Sequence, residues 1–156
     1  MRLRPWAMFA LTLLALALGG CAGGGGAKRE RFEGAAYPPG VRAPDFTLRD
    51  EHGRPVSLSG YRGKVVALSF LSSACKTCAL VAQQIRGALD ELGSPPGVST
   101  IFVSTDPRGD TAARVARFLA ATSLTGRALY LTGTESKLED AWLAYHVTRN
   151  EDGITV

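Results

Sequence analysis

Cys75 and Cys78 are the two side chains in this sequence best placed to do chemistry together. They lie in the run Ser72-Ser73-Ala74-Cys75-Lys76-Thr77-Cys78, with two residues between them. At that spacing they share one side of a helix, so the two sulfurs reach each other. Such a pair closes a disulfide, or clamps one soft cation as a pair of thiolates, Cu(I) or zinc, with room for a third ligand. Either use needs a thiolate. Backbone N–H groups and the positive dipole end at a helix N-terminus stabilise one, and Lys76 adds positive charge. The plainer alternative is two small cysteines buried at an apolar helix start.

The flanking segments supply that setting. Lys64 to Leu71 is a continuous apolar, β-branched-rich run, the pattern of a strand buried on both faces. Ala79 to Leu92 has helical period, with Val81, Ile85, Ala88, Leu89 and Leu92 on one face and Gln84, Arg86 and Asp90 off it. Cys75 then stands at the helix N-terminus, at the carboxyl end of a buried strand, where open α/β sheets place their sites. The alternation continues through a strand at Val98–Ser104, a helix at Ala112–Ala121 capped by Asp110 or Thr111, and a short strand at Ala128–Leu131. A third helix follows, capped by Thr134, with Leu138, Trp142 and Tyr145 as its stripe. Ahead of this core, Ala43 to Leu48 and Pro55 to Leu58 read as a hairpin around Glu51-His52-Gly53-Arg54. Asn150-Glu151-Asp152-Gly153 is a second hairpin signal, and Ile154-Thr155-Val156 begins a strand. Strands alternating with helices predict an α/β domain with a mainly parallel sheet and helices on both faces.

The N-terminus reads as an address. Arg2 and Arg4 precede an apolar run from Trp6 to Leu18, the length of a signal-peptide core and short of a membrane-spanning helix. It ends in Leu18-Gly19-Gly20-Cys21, which resembles a bacterial lipobox, whose Cys is acylated and becomes the mature N-terminus. Cys21 is otherwise the odd cysteine of three, and the Gly-rich stretch Ala22 to Ala27 is a flexible tether. The expected organisation is a signal peptide at 1–20, a tether and linker at 21–40 and one domain at 41–156. The domain would be held by Cys21 on the extracytoplasmic face of a cell membrane, where a disulfide persists.

Composition narrows the alternatives. Of 156 residues, 46% are hydrophobic and 21% charged, a globular balance. The net charge of +4 includes Arg2 and Arg4, and no basic stripe with interleaved aromatics is present, so nucleic acid is not an expected partner. Two histidines and three cysteines are too few for a zinc finger or a disulfide-rich scaffold.

From Val41 to Tyr145 the chain resembles thioredoxin-fold proteins of the redoxin kind. Ala43-Pro44-Asp45-Phe46-Thr47-Leu48, then Leu58-Ser59-Gly60-Tyr61-Arg62-Gly63-Lys64-Val65-Val66, then the Cys pair follow in that order. Within that superfamily it is most similar to the SCO/SenC group, on Val103-Ser104-Thr105-Asp106-Pro107-Arg108-Gly109-Asp110-Thr111 and on Leu124-Thr125-Gly126. The resemblance implies a thioredoxin-like fold with an N-terminal β-hairpin extension. It also implies a membrane-anchored copper metallochaperone serving the CuA site of cytochrome c oxidase, with copper held by Cys75 and Cys78. A cytochrome c oxidase subunit or another thiol-bearing copper protein is the implied partner, and Asp106 an implied site neighbour. A turn-forming Asp-Pro is the simpler reading of Asp106, and helix caps that of Asp110 and Thr111.

The departures matter as much. The group carries C-x-x-x-C-P, whereas here the spacing is Cys75-x-x-Cys78 and Ala79 replaces the proline. That spacing is the one used by thiol–disulfide oxidoreductases, although Ala74 stands where thioredoxins place an aromatic. The group's distal ligand His has no counterpart, and the final hairpin, helix and cis-proline region are expected to be missing. His52 and His146 read as solvated or capping residues. Copper handling and thiol–disulfide exchange therefore both stand. A peroxiredoxin is weaker, because Ser69 to Ser72 lack the Pro and Thr that precede its reactive Cys, and a purely structural disulfide is the remaining alternative.

Overall fold

The computed structural model describes Gly34, residues 36–150 and 153–155, without the side chains of residues 149, 150 and 153–155. Cys21 and the expected signal and tether segments up to residue 33 lie outside the described residues. The chain divides into two units, Met1–Val41 and Arg42–Val156, and the second carries the fold.

Its centre is a parallel sheet of β3 (Val65–Leu71), β4 (Val98–Ser104) and β5 (Ala128–Leu131), in that spatial order. β4 is the middle strand, pairing Leu71 with Ser104 on one side and Val103 with Leu131 on the other. α1 (Lys76–Glu91) links β3 to β4, and α2 (Ala112–Ala121) links β4 to β5. Because the strands follow one another across the sheet, two right-handed crossovers put both helices on one face. There Ala82 and Leu89 of α1 and Val115, Phe118 and Leu119 of α2 close over Phe102 and Tyr130. Phe102, Phe118 and Tyr130 meet edge to face, with ring centroids 5.9–6.3 Å apart.

α3 (Glu135–Ala144) follows β5 onto the opposite face, where Leu138 and Trp142 bury Ile101, Val103 and Leu131. The N-terminal hairpin, β1 (Thr47–Arg49) with β2 (Pro55–Ser57), shares this second core through Leu48. It is stitched on by reciprocal backbone hydrogen bonds between Arg49 and Thr132 of 2.8 and 2.7 Å. A second hairpin, β6 (Thr148–Asn150) with β7 (Gly153–Thr155), pairs Asn150 with Gly153, where the turn signal stands. Helices thus cover both faces of a parallel sheet, as the alternation of elements requires.

Two expectations are corrected. β3 is only half-buried along most of its length, and Val65 is 67% exposed. Among the described residues it pairs with β4 alone, and only Leu71 at its carboxyl end is buried. The buried stripe of α1 is Cys78, Ala82, Ile85 and Leu89, whereas Val81 and Leu92 face solvent. The helix begins at Lys76, earlier than its apolar period, and that start sets the stripe running from Cys78.

Candidate functional site

Cys75 is the N-cap of α1. Its backbone is extended (φ −81°, ψ 120°), and its sulfur accepts a hydrogen bond from the Cys78 N–H at 3.1 Å. It therefore satisfies one of the first-turn donors that a helix leaves open. Cys75 and Cys78 form a disulfide, their Cα atoms 5.2 Å apart. Both are partly buried. Cys78 packs on the core beneath α1, and Cys75 faces an open groove.

The loop that carries them is anchored from below by Asp110, whose side chain is buried. One carboxylate oxygen accepts from the Ser73 N–H at 2.8 Å and the Ser73 hydroxyl at 2.6 Å. The other accepts from the Ser104 hydroxyl at 2.6 Å and the Tyr130 hydroxyl at 2.7 Å. Asp110 thus joins the cysteine loop to the ends of β4 and β5. Burial, and then the adjacent Asp110 charge, push the Tyr130 phenol far above its ordinary pKa, so it remains a donor. By residue type either Asp110 or Thr111 could cap α2. The cap of α2 is Thr111, whose hydroxyl accepts from the Arg114 N–H. No local signal separates the two roles, because Ser73, Ser104 and Tyr130 lie far along the chain from one another.

Asp106 is held in its own turn. Its carboxylate accepts from the Gly109 N–H at 2.8 Å, and its backbone carbonyl accepts from Gly109 and Asp110. A Cβ at position 109 would push the Asp106 carboxylate from its place against the Gly109 N–H. His52 lies exposed in the β1–β2 turn beside Glu51. His146 follows α3 in the left-handed region, φ 57°. Among the described residues no three His, Cys, Asp or Glu side chains gather into a metal-holding group. The donors at the site are the two sulfurs.

The SCO1/SenC family model matches residues 36–155, three-quarters of the chain. The chain belongs to the SCO1/SenC family. The bovine mitochondrial protein SCO2 homolog is 31% identical over 127 residues, covering 78% of this chain and 46% of that protein. The thiol-disulfide oxidoreductase ResA of Geobacillus thermodenitrificans is 48% identical over 46 residues, 30% of this chain and 26% of that protein. The chain therefore spans less than half the length of these relatives. The crystal structure of yeast Sco1 with copper bound superposes with a TM-score of 0.61 at 26% identity, covering 68% of this chain and 59% of that one. The fold of this SCO1/SenC chain is thioredoxin-like, with the N-terminal hairpin as an extension. Its SCO1/SenC relatives include copper-bound proteins, and its neighbours include thiol–disulfide oxidoreductases.

Proposed function

We propose that this SCO1/SenC protein is a membrane-tethered copper metallochaperone, with Cu(I) as its cargo. In the reduced state Cys75 and Cys78 supply two soft thiolates at a helix N-terminus, a donor set suited to Cu(I). The N–H groups of the first turn favour the charged form of Cys75. A third coordination position is left for a thiolate of the receiving protein, so copper passes by ligand exchange. Assembly of the CuA site of cytochrome c oxidase is the process we assign to it. Asp106 is a neighbour of the site that orders the loop after β4. Acylated Cys21 would hold the domain at the outer face of the membrane, and residues 21–40 would be its tether.

The observation that carries this reading is a two-cysteine, solvent-reachable site in a SCO1/SenC domain. The test is Cu(I) competition against a chromophoric chelator with the fully reduced protein. Tight one-to-one binding, lost in Cys75→Ser/Cys78→Ser, supports it, and equal binding by the two proteins refutes it. Loss of a lipid-sized mass increment in Cys21→Ala tests the anchor.

A second reading rests on the Cys75-x-x-Cys78 spacing and the closed disulfide. As a thiol–disulfide oxidoreductase, the Cys75 thiolate attacks a partner disulfide to form a mixed disulfide. The Cys78 thiolate then displaces the partner. Two electrons pass to the partner, which leaves as a dithiol, and Cys75–Cys78 becomes the disulfide. Trapping of the mixed disulfide by Cys78→Ser, and not by Cys75→Ser, distinguishes this order of attack.

A further inference from the structure

Beside Cys75 an open groove of roughly 430 Å³ runs between the start of α1 and the flank of α2. Ala79 and Phe118 contribute to its apolar lining, and Lys76, Arg114 and Arg117 stand around it. No acidic residue lines it. Lys76, Arg114 and Arg117 pair with no carboxylate among the described residues, so the cationic lining of the groove is not neutralised locally. Arg114 and Arg117 lie three apart on α2 and are exposed. Three cations with no described counter-charge therefore border an apolar trough that opens on the first cysteine and not on the second.

We propose that this groove is the docking surface for an acidic, cysteine-bearing segment of the partner protein. The segment lays apolar side chains on Ala79 and Phe118, and its carboxylates pair with Arg114, Arg117 and Lys76. Its own cysteine is thereby set beside Cys75. Opposite charges across a partly desolvated groove select the partner and speed encounter more than they add raw affinity. The inference rests on the reading of Cys75 as the residue that exchanges copper or thiols, and it adds what is recognised there.

Binding is measured without any thiol chemistry. A short fluorescent peptide with glutamates flanking a central serine is titrated by anisotropy into the folded oxidised domain, beside a counterpart carrying lysines. The glutamate peptide is expected to bind more tightly at low salt. Arg114→Gln/Arg117→Gln should lose about fivefold of that affinity, and 0.5 M salt should remove the preference. Arg62→Gln/Lys64→Gln makes the same change in net charge at a site outside the groove and is the control. Arg114→Glu/Arg117→Glu should reverse the preference toward the lysine peptide. Equal affinity for the two peptides overturns the proposal, and so does an equal loss in the Arg62/Lys64 variant. A separate arm follows the Cys75 thiolate of Cys78→Ser attacking a peptide mixed disulfide of thionitrobenzoate, which releases coloured thionitrobenzoate. Failure of Cys75 to react in that arm, even with a small neutral disulfide, counts against the exchange reading, while the anisotropy decides the docking surface by itself.

Discussion

Asp50 and Asp110 are both buried, and each gathers its donors at hydrogen-bond distances below 3 Å, yet they hold the molecule together at different scales. Asp50 serves one turn. It accepts from the His52 N–H at 2.9 Å, the Arg54 N–H at 2.8 Å and the Arg54 guanidinium at 2.7 Å. All its donors lie within four residues. Asp110 accepts from Ser73, 37 residues away, and from Ser104 and Tyr130, and so joins a loop to two strand ends. The first carboxylate shapes one hairpin turn with donors from that turn alone. The second exists as an acceptor only once the sheet is assembled, and it positions the loop that presents Cys75. Buried polar networks satisfied on every side specify one arrangement, and a network missing one member costs more than the bond lost.

The sharpest way to break the comparison is to remove each carboxylate in turn. Asp110→Ala leaves buried donors from three segments without an acceptor and should cost about 4 kcal/mol, read from urea denaturation. It should also weaken Cu(I) binding by the reduced Cys75/Cys78 pair, because Ser73 no longer fixes the loop. Asp110→Asn, which keeps an acceptor for the Ser73 N–H, should recover part of both. A variant that loses stability but binds Cu(I) as before would show that the loop does not depend on this anchor.

Asp50→Ala should cost less, about 2 kcal/mol, and leave Cu(I) binding unchanged, since its donors belong to the β1–β2 turn. The same site carries a pH signature. Burial alone would raise the Asp50 carboxyl, but hydrogen bonds from the Arg54 backbone and guanidinium and from the His52 N–H outweigh it and hold it below the ordinary range. A carboxyl lowered in the folded state stabilises the fold above its unfolded value of about 3.9 and loses that contribution as pH falls through the folded value. Denaturant midpoints should therefore fall less steeply between about pH 5 and pH 2 in Asp50→Asn than in the parent. Parallel curves would assign the acid sensitivity elsewhere.

The smallest effect is expected for Tyr130→Phe, which keeps the aromatic cluster with Phe102 and Phe118 and removes one donor to Asp110. A loss of about 1.5 kcal/mol, additive with Asp50→Ala but not with Asp110→Ala, would place Tyr130 in the second network alone.

What was legible in the chain divides along the same line. The turn around Glu51 to Arg54, the strands at Val98–Ser104 and Ala128–Leu131, the caps at Thr111 and Thr134 and the Cys75 helix start all rest on neighbours in sequence. Spacing and residue type therefore revealed them. Asp110 was misread because a carboxylate one residue before a helix cap looks like part of the cap. Its partners come together only through the register of β3, β4 and β5. The partial exposure of β3 is hidden for a similar reason. Val65-Val66-Ala67-Leu68 reads the same whether a second strand lies beside it or not, and Val81 and Leu92 were assigned inward by a period that does not include Cys78.

The hydrogen bond from the Cys78 N–H to the Cys75 sulfur makes the first turn of α1 a built-in gauge of what the sulfur is doing. A sulfur locked in a disulfide, a free thiolate and a metal-bound thiolate differ in how much electron density they offer that proton. The Cys78 amide should therefore sit at a different chemical shift, and exchange with solvent at a different rate, in each state. A single backbone resonance would then follow oxidation, reduction and cargo loading in real time, with no label on either cysteine.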